Sequence, residues 1–177
     1  MTLNPFDNLC KNFGGKQMIR YSNKNDIEQI KELLYSCFGE MVTGGGYERI
    51  EGGRYLVYEE DGKIVALTGF CFDDEFRGIQ ITWTCTHPDY RHKGIMQKLF
   101  SRLMQTTDED VYCSCWHIGD NDVNLRSLMQ MYGFTRVVEN TESRDIKHNC
   151  PFPVDCPYRT ENCKCGNHLY LRKGQAQ

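Results

Sequence analysis

Four consecutive residues, Arg91-His92-Lys93-Gly94, place two cationic side chains, an imidazole and a glycine between a run with strand periodicity and a run with helix periodicity. The strand-like run ends at Thr86, and His87-Pro88-Asp89 makes a turn. From there Ile95, Met96, Leu99, Phe100, Leu103 and Met104 recur at three- and four-residue spacing, so one helix face is apolar. Backbone N–H groups at a helix start have no intrahelical partner. A basic, glycine-containing turn that opens a helix therefore aims donors and positive charge at one point. The chemistry this suits is anion binding, phosphate above all.

A second set of residues lies near the other end of the chain. His148, Cys150, Cys156, Cys163, Cys165 and His168 are close together in sequence. Thiolate and imidazole are the ligands tetrahedral zinc takes. In a reducing compartment, clustered cysteines point to metal or redox chemistry rather than structural disulfides. No Cys-x-x-Cys pair occurs, so the spacing is not that of a standard finger or ribbon, although Cys163 and Cys165 fit a turn with Gly166. Cys150, Cys156, Cys163, Cys165 and His168 are the candidate zinc ligands; free loop thiols and a redox pair are the alternatives. The chain has ten cysteines. Cys10, Cys37, Cys71, Cys85, Cys113 and Cys115 are scattered, and those in predicted helices and strands read as small buried apolar side chains.

The elements that must position these residues follow from periodicity. Residues 18–21 predict a strand. Asn25 predicts a helix N-cap, with Glu28 three positions on as in a capping box. Ile27, Ile30, Leu33, Leu34, Cys37 and Phe38 form that helix's apolar face, and Gly39 suits its end. A glycine-rich connection leads to strands at 55–59 and 63–72, joined by Asp61-Gly62, a strong hairpin signal. In the next strand, 79–86, Ile79, Ile81, Trp83 and Cys85 share one face, and Gln80, Thr82, Thr84 and Thr86 the other. After the central helix come a strand at 111–116, a short helix marked by Val123, Leu125, Leu128, Met129 and Tyr132 and ended by Gly133, and a strand at 134–139. An irregular stretch with three prolines, 140–167, precedes a final strand at 168–172. This order predicts an α/β (α+β) domain with a mixed sheet.

At 177 residues the chain is long enough for one well-cored domain and short for two. Apolar residues at 40% and charged residues at 25% are ordinary for a soluble globular protein. A net charge of −3 does not favour bulk nucleic-acid binding. No run approaches the ~18 apolar residues that span a bilayer, and residues 1–17 lack the apolar core of a signal peptide. The expectation is a cytoplasmic protein with no nucleic-acid or membrane partner. Residues 1–17 are a loosely ordered lead-in, and 18–177 form a single domain that includes a Cys-rich insertion loop at 140–167. The oligomeric state stays open, with a dimer admissible.

The run Thr86-His-Pro-Asp-Tyr-Arg-His-Lys-Gly-Ile resembles the acetyl-CoA loop of the GNAT superfamily of N-acetyltransferases. That family's pattern is Arg/Gln-x-x-Gly-x-Gly/Ala after a strand and opening a helix, and Arg91 and Gly94 match it. A short helix running into Gly133-Phe134, and the order of elements, are similar as well, so the resemblance spans most of the chain. It implies a twisted mixed sheet of about seven strands with helices on both faces and a Cys-rich loop before the last strand. It further implies that the backbone of Thr84, Cys85 and Thr86 pairs with the pantetheine arm. The pyrophosphate would rest on the N–H groups of His92, Lys93, Gly94, Ile95 and Met96, with charge added by Arg91 and Lys93. Asn124 is a further implied coenzyme contact.

Two positions depart from the family pattern. Met96 stands where a second small residue is usual, and Met129 stands where the family often carries a tyrosine that protonates the leaving thiolate. Tyr132, about 60° around a helix from Met129, is the candidate replacement acid. A thiol pKa of ~8.5 makes thiolate a fair leaving group without an acid. The incoming amine matters more: a side-chain amine at ~10.4 needs a base, whereas an α-amine at ~7.7–8.0 needs little help. Gln80 stands where some members have a strand carboxylate, leaving Glu48, Glu51, Asp73, Asp74 and Glu75 as loop acids. The family reacts by direct transfer, so Cys85 reads as a core thiol rather than a nucleophile. The resemblance thus implies an acetyl-CoA-dependent N-acetyltransferase acting on an unidentified amine, small molecule or peptide. The alternatives are a non-catalytic acyl-CoA-binding module and a metal- or redox-sensing regulatory module.

Overall fold

The alternating runs become eight strands in the computed structural model, which describes residues 11–13, 17–39, 50, 53–74, 77–117, 125–140 and 166–174. They are β1 (Lys11–Phe13), β2 (Gln17–Tyr21), β3 (Arg54–Glu60), β4 (Lys63–Asp73), β5 (Gly78–Thr86), β6 (Val111–His117), β7 (Thr135–Asn140) and β8 (Gly166–Arg172). The helices described in full are α1 (Ile27–Phe38), α2 (Ile95–Met104) and α3 (Arg126–Met131). One sheet runs in the order β1-β2-β3-β4-β5-β6-β8-β7. Among the described residues, only β5 and β6 pair in parallel. Parallel neighbours need a crossover, and α2 supplies it. The expected mixed sheet thus gains an eighth strand: β1, from the stretch read as a loose lead-in, pairs Lys11 with Ile19 and Phe13 with Gln17 at the sheet edge.

Helices cover both faces. On one face Ile30, Leu33 and Leu34 of α1 pack over Tyr55, Val57 and Leu67. On the other, Leu99 and Phe100 of α2 and Met129 of α3 pack over Leu56, Tyr58 and Val111. Strand β3 alternates between the two clusters, as a pleated strand covered on both sides must. Each fully buried Leu or Phe contributes about 1.5–3 kcal/mol by leaving water. The β3–β4 hairpin turns at Asp61 and Gly62 with φ of 53° and 78°, the left-handed pair a type I′ turn requires.

Two local expectations are corrected. The N-cap ahead of α1 is Asn23, not Asn25: a 3₁₀ turn at Lys24–Asp26 precedes the helix. Asn23 Oδ1 accepts from the Asn25 amide at 2.9 Å, and Asp26 accepts from the Asn23 amide at 2.6 Å. Asp26 is fixed there by Arg20, whose guanidinium donates to both its oxygens at 2.6 and 2.8 Å and also reaches Glu59. This ion pair between β2 and the turn moves the capping box two residues upstream. The second correction concerns β5. Phe70 pairs with Ile81 but Thr68 pairs with Thr84, so β5 carries one more residue than β4 over this interval, a β-bulge. The bulge reverses the strand's phase: Ile81 joins the α2-side cluster, whereas Trp83 and Cys85 pack on the α1 side. Strict alternation would have put all three on one face.

Candidate functional site

The bulge coincides with a parting of the sheet. The β5–β6 ladder consists of Ile79 with Val111, Gln80 with Tyr112 and Ile81 with Cys113. Beyond Ile81, β5 continues to Thr86 on β4 alone, while β6 continues to His117 on β8. Among the described residues, the two neighbouring strands therefore stop pairing beyond Ile81. The His87 amide donates to Val65 O of β4 at 2.9 Å. Alternation along the strand then turns the amides of Thr84 and Thr86 away from β4, toward the edge of β5 that β6 no longer pairs. On the Thr86 carbonyl, Arg91 Nε donates at 3.2 Å and Cys37 Sγ at 3.5 Å.

A tight turn follows. Residues Pro88–Tyr90 form a 3₁₀ turn, with His87 Nδ1 accepting from the Asp89 amide at 3.3 Å. The Lys93 ammonium lies 4.5 Å from the centre of the Tyr90 ring. His92 and Gly94 both have positive φ, 62° and 72°. Gly94 is the N-cap of α2 and offers no side chain to cap it. The first bond of the helix is from the Lys98 amide to Gly94 O at 3.1 Å, which leaves the amides of Ile95, Met96 and Gln97 for an external acceptor at the positive end of the helix dipole. Arg91, His92 and Lys93 are exposed around them. Ile95 is buried, and the Met96 side chain packs against the α2-side core, so neither covers this end of the helix.

Tyr132 closes α3 against α2. Its hydroxyl donates to Gln97 O at 2.7 Å and its ring centre lies 5.9 Å from that of Phe100. Met129 is fully buried. Of the loop acids, Asp73 pairs with Gly78 at the start of β5, about 20 Å along the strand from Thr84 at ~3.3 Å per residue, and Asp74 follows it in the same hairpin. Glu48, Glu51, Glu75 and Asn124 lie outside the described residues, as do Cys150, Cys156, Cys163 and Cys165. His168 is buried in β8, in register with Cys115 of β6 and Glu139 of β7. Among the described residues, no group of three or more His, Cys, Asp or Glu is placed to hold a metal ion. Among them, too, no helix is long and apolar enough to cross a membrane.

Cys37 acquires a role that its position on the apolar face of α1 did not suggest. A hydrogen bond from the Cys85 thiol, the Ser36 hydroxyl and the Arg91 charge together outweigh burial and pull its thiol down to about 6. Cys85 is pushed the other way, by its bond to Cys37 and by burial. Burial also lifts the Tyr55 phenol, to about 12. No sequence signal links Cys37 to β5, because the contact exists only once α1 has packed on the sheet.

The sequence model of the acetyltransferase (GNAT) domain matches residues 18–116, more than half of the chain. No curated protein sequence matches it. Among solved structures, the yncA protein of Salmonella typhimurium with its cofactor acetyl-CoA is similar at TM-score 0.66 and 18% identity, covering 92% of this chain and 96% of that one. The ribosomal-protein-S18-alanine N-acetyltransferase of Escherichia coli is similar at TM-score 0.67 and 10% identity, covering 91% and 96%. An aminoglycoside 6′-N-acetyltransferase complexed with coenzyme A is similar at TM-score 0.68 and 10% identity, covering 90% and 98%. At these identities the likeness to solved structures is one of fold.

Proposed function

The chain belongs to the GNAT superfamily of N-acetyltransferases, and from that membership we propose that it holds acetyl-CoA between β5 and β6 and passes the acetyl group directly to an amine. The observation that carries this reading is the parting of β5 from β6 after Ile81, with open amides on β5 leading into the bare N-terminus of α2. The pantetheine arm would extend β5 through the backbone of Thr84, Cys85 and Thr86. The pyrophosphate would take the amides of His92, Lys93, Gly94, Ile95 and Met96, which need no reorganisation to meet it. Arg91 and Lys93 add positive charge, and Asn124 is the remaining proposed contact.

The chemistry is an acyl substitution. The amine lone pair attacks the thioester carbonyl; a C–N bond forms, the C–S bond breaks and its electron pair leaves with sulfur. Negative charge building on the carbonyl oxygen would be met by a backbone amide of β5 at the bulge. The departing thiolate, with a thiol pKa of ~8.5, needs no acid near neutral pH. Tyr132 accordingly acts as a pin: its hydroxyl proton is directed at Gln97 O and holds α3 against the first turn of α2. The two described loop acids lie far along β5, so we infer that the acceptor reaches the site as a free amine. An α-amine, at ~7.7–8.0, meets that condition far better than a lysine side chain at ~10.4.

Calorimetric titration with acetyl-CoA, followed by thiol release over a panel of amines at pH 7 and pH 9, tests the reading. Binding with faster turnover of α-amines at pH 7 is expected, the advantage shrinking at pH 9. The committed Tyr132 hydroxyl and the buried Met129 favour a second reading, a non-catalytic acyl-CoA-binding module. Tight binding without thiol release from any amine would select it. Absence of binding would remove both.

A further inference from the structure

Two cysteines from distant parts of the chain meet beside the cleft strand. Cys37 lies in the last turn of α1, and Cys85 lies on β5 next to the carbonyl that Cys37 touches. Cys37 is partly exposed; Cys85 is 7% exposed. Cys37 packs against the cluster that holds Cys85, and Arg91, anchored on the same Thr86 carbonyl that the Cys37 sulfur reaches, adds a positive charge beside them. A partly exposed cysteine beside a positive charge, with a second thiol on the neighbouring strand, is the arrangement in which one cysteine is oxidised and the other resolves it.

We propose that Cys37 and Cys85 form a redox-active dithiol in which a hydroperoxide oxidises Cys37 and Cys85 then closes a disulfide that joins α1 to β5. In the first step the Cys37 thiolate attacks the terminal oxygen; an S–O bond forms, the O–O bond breaks, and the leaving oxygen takes a proton. Cys37 is then a sulfenic acid. In the second step Cys85 sulfur attacks Cys37 sulfur; the S–S bond forms, the S–O bond breaks, and water leaves with the Cys85 proton. Two thiols are oxidised and one peroxide is reduced. Before reaction, the Cys37 charge and hydrogen bond help hold the proton on Cys85. Conversion of Cys37 to a neutral sulfenic acid removes that hold, so the first step prepares the second. Cys113 and Cys115 make an instructive contrast: their sulfurs are 3.5 Å apart, but both are buried, so an oxidant has no exposed thiolate to meet.

The consequence for the enzyme rests on the proposed coenzyme site, because the disulfide would tie α1 to β5 and fix the edge that pantetheine would occupy. The test separates the two. Reduced protein is treated with hydrogen peroxide at pH 7, quenched by alkylation and digested with trypsin. Cleavage after Lys31, Arg49, Arg77 and Arg91 gives peptides 32–49 and 78–91, each with a single cysteine, so a linked pair is unambiguous. The expected result is that this linked peptide accumulates before other cysteines are modified and disappears with dithiothreitol. Cys85→Ser should instead leave a sulfenic acid at Cys37 that dimedone traps, and Cys37→Ser should abolish both products. Acetyl-CoA binding should fall about fivefold or more in the linked form, the worth of one hydrogen bond, and recover on reduction. Free, alkylatable Cys37 and Cys85 after other cysteines have oxidised would overturn the dithiol. A linked protein with undiminished acetyl-CoA affinity would overturn the coupling. Failure of the reduced protein to bind acetyl-CoA would count against the coenzyme site, while the linked peptide would still decide the dithiol.

Discussion

Gly94→Ala separates the folding role of the turn from its proposed binding role. Gly94 has φ of 72°, where a side chain is strained by roughly 1–2 kcal/mol. A Cβ built on it has nothing within 4 Å, so no packing clash is added. The stability cost should therefore be about 1 kcal/mol, a fall of roughly 2–4 °C in Tm for a chain of this size. Binding should suffer more, because the methyl would enter the space through which the proposed phosphate would approach the amides of Gly94, Ile95 and Met96. Loss of one such bond to a charged acceptor costs ~1.5–3 kcal/mol, or roughly ten- to a hundredfold in Kd. Gly62→Ala is the matched control: φ is 78°, nothing lies within 4 Å, and the site is the distant β3–β4 hairpin. Calorimetry with acetyl-CoA and thermal melts on both variants give the comparison. Similar melting losses with weakened binding only in Gly94→Ala are expected. Equal acetyl-CoA affinity in Gly94→Ala and wild type would refute the placement of the phosphates.

Other residues carry equally specific expectations. Tyr132→Phe should lose about 1 kcal/mol of stability, the worth of its bond to Gln97 O, and keep its rate of thiol release within about twofold; a hundredfold loss would mark it as a general acid instead. Arg20→Ala leaves the Asp26 carboxylate buried without its guanidinium and should cost about 3–5 kcal/mol in chemical denaturation. Arg20 holds Asp26 below the usual carboxylate range. Its contribution is therefore present above pH ~3.9 and lost as pH falls through the depressed value, and Asp26→Asn should flatten that acid limb. The rate of Cys37 alkylation should rise with pH about a midpoint near 6, and Cys85→Ala, which removes the largest cause of that shift, should move the midpoint upward. An unshifted midpoint in Cys85→Ala would show that the two thiols do not interact.

What the sequence discloses follows the range of the interactions involved. Local signals served well: Asp61-Gly62 marks its hairpin, and the apolar stripe from Ile95 to Leu103 marks α2 and its buried face. The basic turn was legible because strand, turn and helix are contiguous. Where a tertiary contact competes with a local one, the local reading slipped. Asn25 and Glu28 offer a capping pair, but Arg20 on β2 draws Asp26 into the cap and selects Asn23. The bulge of β5 is a mismatch with β4, so no inspection of 79–86 alone reveals that Ile81 and Cys85 face opposite ways. Likewise, whether Met96 crowds the turn depends on the core beneath it, against which it packs. Cys37 shows the limit most clearly, since its partners Cys85, Thr86 and Arg91 all lie about fifty residues away in the chain.

Acetyl-CoA is proposed to lie along β5 with its pyrophosphate on the N-terminus of α2. A crystal structure of the protein grown with acetyl-CoA tests it most directly. The expected result is pantetheine amide groups bonded to the backbone of Thr84 or Thr86, and pyrophosphate oxygens within hydrogen-bonding distance of the amides of Gly94, Ile95 and Met96. Coenzyme bound anywhere else, or a pyrophosphate held by side chains while those amides stay free, would contradict it.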